Sequence, residues 1–486
     1  MAKNNDEINI LLSESGNPSY SHSEGANSIS TTNAAILGQL FKISPNFELV
    51  PNQVESYKWD EESKTYHLKL KNNLVFHNGR KVNSFDLEFS LLRGFFSQKR
   101  SFYEIYIGNI AGTENIKLGE KFKSGKVSGI KILSDLEISI KLKRDNPSFL
   151  HSLVNPFLAL VPQEEFEEDL ITWKKFPVGV GPYKVVNDFD GKKIKLERLD
   201  KTKKHIEFVN LYTTSDPKVS YDILAIMPDE FDSKNYTEYL SSLPIATAGF
   251  YFIFGNKLSD DINFRKAIHH GLNRKELIDG FPELSITYEM LPSQTWGRAN
   301  LKDPYNPKMA KDYLRKVDSK LISGTIEGMV FGNKIIPKRS QLLIKRIEES
   351  LAAIGLKIKM IPSTEKFLSK ESAKKIYFNF SGMVSEHIDP LIMFGAFRSN
   401  SAFEYFKPIG GDPHFDKLYL DAALAIQKEA RVNSIQTMSS YLDKMSYFVP
   451  YAEKKMIYWI KKNRFKSLGM QTQSLFLSID EIEVAQ

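Results

Sequence analysis

Cysteine is missing altogether from the 486 residues. That removes disulfides, thiolate nucleophiles and cysteine-ligated metal at once, and leaves the compartment open. Long apolar runs are missing too. No stretch approaches the roughly 18 residues that a membrane-spanning helix needs. The first residues, MAKNNDEINILLSES, lack the charged-then-apolar pattern of a secretory leader. Catalytic signatures are likewise not found: there is no G-x-S-x-G, no H-E-x-x-H and no G-x-x-x-x-G-K-[ST]. His269 and His270 are adjacent, so on a helix they point about 100° apart and cannot easily share a metal. No catalytic residue, metal site or cofactor is expected.

What is there is ordinary for a water-exposed globular chain: 42% hydrophobic and 26% charged residues. The length exceeds what one core supports, so two or more domains are expected. Net charge is 66 − 59 = +7. Lysines are scattered rather than massed in a stripe with interleaved aromatics, so a solvated surface is the better reading and nucleic acid is not an expected partner.

The most informative stretch is residues 59–93. Tyr66, Leu68 and Leu70 alternate with His67, Lys69 and Lys71, the period of a half-buried strand. Asn78-Gly79 supplies a turn. Asn83 can cap a helix with Asp86 three positions on, and Phe85, Phe89, Leu92 and Phe96 make one helical face. Elsewhere, Ile8, Ile10 and Leu12 suggest an opening strand. Residues 13–32 read as a loop and 33–40 as a helix. Residues 129–142 read as a hairpin about Ser134-Asp135. Gly179-Val180-Gly181-Pro182-Tyr183 is a weak phosphate-loop candidate, because Pro182 blocks a following helix; a tight entry into a strand at 183–186 fits better. Residues 249–254 form a continuous apolar run of buried-strand length. Asn273 caps a helix with Glu276 three on. Leu343, Ile347, Leu351 and Ile354 make a helix stripe that stops at Gly355, and Leu356, Ile358 and Met360 then alternate.

These segments, in this order, resemble the extracellular solute-binding proteins of the oligopeptide and dipeptide type, family 5. The resemblance rests on Trp59, Phe76-His77-Asn78-Gly79 and Phe89-Ser90-Leu91-Leu92-Arg93. It continues in the Gly179–Tyr183 motif, in Arg265, Ala267, Ile268 and Arg274, and in the helix ending at Gly355. It covers nearly the whole chain. The fold it implies is α/β: a two-lobed periplasmic-binding-protein type II fold with an extra subdomain. Residues 1–45, 170–250 and 460–486 would form lobe I, 46–169 the extra subdomain, and 251–459 lobe II. The chain would cross between lobes near 250–254 and 455–459.

The resemblance also implies a ligand site. Gly382, Ser385, Glu386, Asp389 and Pro390 line up without gaps with a strand and acidic turn, with Val384 between them and Met383 where an aromatic is usual. In peptide-binding relatives that strand pairs with an extended ligand, and an acid takes its α-ammonium. Glu386 stands where Asp is usual. Glu24, Gly25 and Ala26 resemble a family segment that contacts ligand from the opposite lobe. Trp296 offers a ring for stacking, or for packing.

The implied function is extracytoplasmic capture of a peptide by hinge closure, for delivery to an ABC importer. Its partners would be the peptide and the membrane permease, the protein would be a monomer, and any leader would have been removed ahead of Met1. An oligosaccharide, a metal chelate or another small solute is the alternative ligand. The ligand-sensing domain of a transcription regulator fits less well, since little length precedes the similarity for a helix-turn-helix. An enzyme fits least.

Overall fold

The computed structural model describes residues 6–12, 27–44, 48–97, 103–104, 107–117, 119–146, 149–187, 192–201, 206–228, 231–331, 338–363, 377–384, 390–401, 404–425, 427–469 and 477–485. The chain divides into two compact units: Met1–Ser242 with Ile457–Gln486, and Leu243–Met456. It leaves the first unit inside the strand Tyr236–Phe252 and returns to it inside the strand Phe448–Lys461.

The first unit holds a sheet in the order Ile223–Leu224, Glu7–Leu11, Phe208–Tyr212, Lys193–Arg198, Tyr183–Val185. Glu7–Leu11 runs parallel to both of its neighbours. Ile8, Ile10 and Leu11 are buried, as their pattern requires. The helix that follows is Asn27–Leu37, earlier than the 33–40 read from sequence. Its polar start is held by packing rather than propensity. Thr31, Thr32 and Asn33 are buried, and Thr31 Oγ1 accepts from the Leu477 amide at 3.1 Å.

The same unit carries a separate four-stranded sheet, Val54–Asp60, Thr65–Leu70, Glu137–Lys141, Ile130–Ile132. Tyr66, Leu68 and Leu70 face its core. The Tyr66 ring stacks on Phe149 at 5.5 Å, and burial pushes its phenol up to about 12. Helix Ser84–Leu92 packs on this sheet and carries a complete capping box. Asn83 Oδ1 accepts from the amides of Phe85 and Asp86, and Asp86 Oδ2 accepts from the amide of Asn83 at 2.9 Å. Such a cap contributes about 1 kcal/mol. Phe89 and Leu92 point into the core, and Arg93–Phe96 continue as a tighter 3-10 turn.

In the second unit the order is Ile358–Ser363, Ile326–Phe331, Phe378–Val384, Tyr236–Phe252, Phe448–Lys461, with Leu284–Ile286 paired to the last. Gly249 to Phe252 of the apolar run are the buried end of the 17-residue strand Tyr236–Phe252, and buried Ile253 and Phe254 follow it. Its beginning, from Tyr236 onward, mixes polar and apolar residues without a period of two. Helix Lys338–Ala352 ends before Gly355, whose φ of +102° favours glycine, and the chain re-enters the sheet at Ile358, parallel to Ile326–Phe331. Phe250, Phe252, Phe264, Ile268 and Leu351 share one buried cluster.

Candidate ligand site

Open α/β sheets bind ligands beyond the carboxyl ends of their parallel strands. In the first unit those ends are Leu11 and Leu224. Both are buried with Tyr221, and half-buried Tyr212, Phe231, Tyr236 and Trp459 pack around them. Asp222 holds the strands in place. Its carboxylate accepts from the Asn9 amide at 2.9 Å and lies 3.5 Å from the Arg464 guanidinium. Glu24, Gly25 and Ala26 lie outside the described residues.

In the second unit Phe378–Val384 pairs along its whole length with Tyr236–Phe252, from Phe252↔Phe378 to Ala246↔Val384. On its other side the parallel partner Ile326–Phe331 stops at Val330↔Phe380. Among the described residues, 381–384 therefore present one open edge. Gly382 is exposed on that edge. A Cβ there would come no nearer than 3.6 Å to another atom, so packing does not require glycine. Met383 and Val384 lie on the same strand, whereas Ser385, Glu386 and Asp389 lie outside the described residues.

The motif residues that carried the resemblance serve the fold. The His77 amide donates to Gly179 O at 2.9 Å, and its Nε2 donates to Gly181 O at 3.0 Å. Burial lowers its imidazole to about 4. Gly179 and Gly181 let this loop lie against helix Asn27–Leu37, since a Cβ on either would stand 2.5 Å from that helix's backbone. Arg93 is fully buried, donates to the carbonyls of Leu170 and Phe157, and lies over the Phe166 ring; burial lowers it to about 10. Arg265 donates to the carbonyls of Ser259, Asp260 and Met445, and Arg274 to those of His269, Leu272 and Pro450.

His269 sits 3.2 Å from Asp443, and the His270 ring stacks on Tyr313. Trp296 packs against the second unit's core with the Arg431 guanidinium 5.9 Å from its ring. A hollow of about 480 Å³ beside Phe85, Phe166 and Leu170 lies against the capped helix, away from either set of strand ends.

Sequence reading passed over Lys454. It lies on Phe448–Lys461, opposite Leu284 in the pairing, with its side chain exposed, while its neighbour Glu453 is buried.

Parallel strand ends around an aromatic cluster in the first unit, and a strand edge left open in the second, belong to one α/β fold. Known structures share it. NikZ from Campylobacter jejuni in complex with Ni(L-His) has a TM-score of 0.77 at 19% identity, over 99% of this chain and 100% of that one. Haemophilus influenzae OppA in complex with RPPGFSPFR has a TM-score of 0.77 at 16% identity, over 99% of each chain. The fold is that of the type II periplasmic binding proteins.

Residues 48–405 match the bacterial extracellular solute-binding proteins, family 5 Middle, and the chain belongs to that family. A relative is the probable ABC transporter periplasmic-binding protein SapA of Escherichia coli (strain K12), 21% identical over 472 residues, 87% of this chain and 82% of the relative. Members of this family are substrate-binding components of ABC importers, not enzymes.

Proposed function

We propose that this chain captures a peptide outside the cytoplasm and hands it to the permease of an ABC importer. The observation that carries the reading is the open edge at residues 381–384, with Gly382 free of any packing demand. An extended peptide can add itself there as a further strand. Main-chain hydrogen bonds serve any sequence, and a charge pair at one end fixes the register. Glu386 is the proposed seat of the peptide's α-ammonium, with Asp389, Ser385, Met383 and Val384 beside it and Glu24, Gly25 and Ala26 approaching from the other lobe. Residues 1–45, 170–250 and 460–486 are proposed as lobe I, 46–169 as the extra subdomain and 251–459 as lobe II, closing on the peptide by hinge motion. The mature protein is proposed to act as a monomer at the membrane's outer face.

Neighbouring structures of this fold hold a peptide in one case and a nickel–histidine complex in another, so the fold alone leaves the solute class open. Native mass spectrometry of the purified protein tests the reading. A retained mass that fragments as a peptide supports it; a retained chelate or sugar overturns it.

A further inference from the structure

We propose that the hollow against the capped helix seats a basic segment of a partner protein. An aromatic or leucine side chain of that segment fills the hollow, and its lysines or arginines pair with Glu167 and Glu168. This stands apart from the solute reading: the hollow belongs to the first compact unit and the open edge to the second.

The floor is apolar. Phe85 of helix Ser84–Leu92 is half-buried. The chain itself covers part of its ring, where Phe122 packs edge-on at 6.2 Å. Phe85 also lines the hollow of about 480 Å³, together with Phe166 and Leu170. Leu170 holds a left-handed backbone at φ +61°, a conformation that glycine or asparagine takes more easily. Its carbonyl accepts from buried Arg93 at 3.1 Å, so the fold fixes the backbone there. The leucine side chain is only half-buried, and its surface lines the hollow. Folding requires the backbone at 170 and not the leucine.

The rim is acidic. Glu164, Glu167 and Glu168 line it and are exposed. Arg80 takes Glu164, at 2.6 Å from Nε. Lys174 also lines the hollow, and its ammonium donates to Glu164 O at 2.8 Å. Among the described residues the carboxylates of Glu167 and Glu168 make no hydrogen bond and no ion pair. The turn that carries them is closed: the Leu170 amide donates to Glu167 O at 3.0 Å, and the Glu167 amide to Thr172 O at 2.8 Å. Two unpaired carboxylates are thus held beside an apolar surface, in a chain whose net charge is +7.

That combination sets the occupant's chemistry. An uncharged apolar segment would cover the hollow and strip water from two unpaired carboxylates. An acidic segment would be repelled. A basic one buries its apolar side chain and meets the carboxylates with its cations. The hollow opens to solvent at its acidic rim. It therefore suits one side chain of a longer polypeptide better than a free small molecule, which needs most of its surface enclosed.

Two capped peptides test this on the full chain: acetyl-Lys-Leu-Phe-Lys-amide and acetyl-Glu-Leu-Phe-Glu-amide. Capping removes the α-ammonium and α-carboxylate that a peptide-solute site would take. Carbodiimide activates a carboxylate and couples it to a lysine amine held against it, and tryptic mass spectrometry then locates the link. The basic peptide should couple at Glu167 or Glu168. By calorimetry it should bind about tenfold or more tightly than the acidic one, with the difference shrinking at high salt. Glu167→Gln combined with Glu168→Gln should weaken it about threefold to tenfold. Leu170→Gly relieves the left-handed backbone, so the melting temperature should hold while affinity for the basic peptide falls severalfold.

If the basic peptide couples only elsewhere, or binds the doubly substituted chain as well as the natural one, the inference fails. Coupling confined to Glu386 or Asp389 also overturns it and leaves the peptide reading standing, since the probe has then gone to the proposed solute site. Self-association of the natural chain that the double substitution abolishes would make a second copy the occupant, and overturns it as well.

Discussion

His77 donates from Nε2 to the carbonyl of Gly181 at 3.0 Å, joining two motifs that lie 104 residues apart in the chain. A carbonyl only accepts, so the ring holds its proton on Nε2. Among the described residues the buried Nδ1 has no hydrogen-bond partner. A second proton at Nδ1 would create a buried donor with nothing to receive it. This is why burial lowers the ring from 6.5 to about 4.

The sign of the resulting pH effect follows. As pH falls from 6.5, the unfolded chain takes up a proton before the folded one does. The contribution is fully present above 6.5 and is lost as pH falls through 4, on the order of 3 kcal/mol in all. Denaturant melts between pH 7 and 4 should show this loss. His77→Gln, which keeps a donor and removes the titration, should flatten the curve over that window.

Glycine matters differently at two places. A Cβ at Gly181 would stand 2.5 Å from the Ala35 carbonyl, and helix backbone cannot move aside. Gly181→Ala should cost about 1–3 kcal/mol of stability, as overpacking does. At Gly382 the nearest atom would be 3.6 Å away, so Gly382→Ala should leave the melting temperature unchanged. If the open edge is the peptide's seat, the same change should weaken peptide binding severalfold by calorimetry. Unaltered affinity would move the seat elsewhere.

Asp86 is fully buried, closes the capping box and takes two hydrogen bonds from Arg80, at 2.6 and 3.0 Å. Asp86→Ala removes both functions and should destabilise the first unit by about 2–4 kcal/mol. Asp86→Asn keeps the shape and should cost less. Chemical denaturation of the two variants gives the order.

Glu386→Gln tests the ammonium seat. It should weaken binding of a free-amine peptide about tenfold to a few hundredfold, since a charge-assisted bond in a poorly hydrated place contributes roughly 1.5–3 kcal/mol. Glu386→Asp should retain most affinity. Acetylating the peptide should hurt the natural protein far more than the Gln variant, because both changes delete one contact. If Glu386→Gln binds as well as the natural protein, Asp389 or Glu24 becomes the better anchor.

Local chemistry was legible without a structure. The alternation at Tyr66, Leu68 and Leu70, the Asn83–Asp86 box and the glycine stop at 355 involve residues within a few positions of one another, so adjacent letters determine them. Their order along the chain also pointed to the family. Tertiary structure alone decided the rest. Asn27–Leu37 starts where propensity disfavours it, because Thr31 to Asn33 are buried. Arg93, Arg265 and Arg274 look like surface or ligand-binding cations in a sequence, yet all three are buried on main-chain carbonyls, several of them far along the chain. Periodicity and caps act over about one helical turn, whereas burial and charge pairing depend on which distant segments meet. No string of neighbours records that.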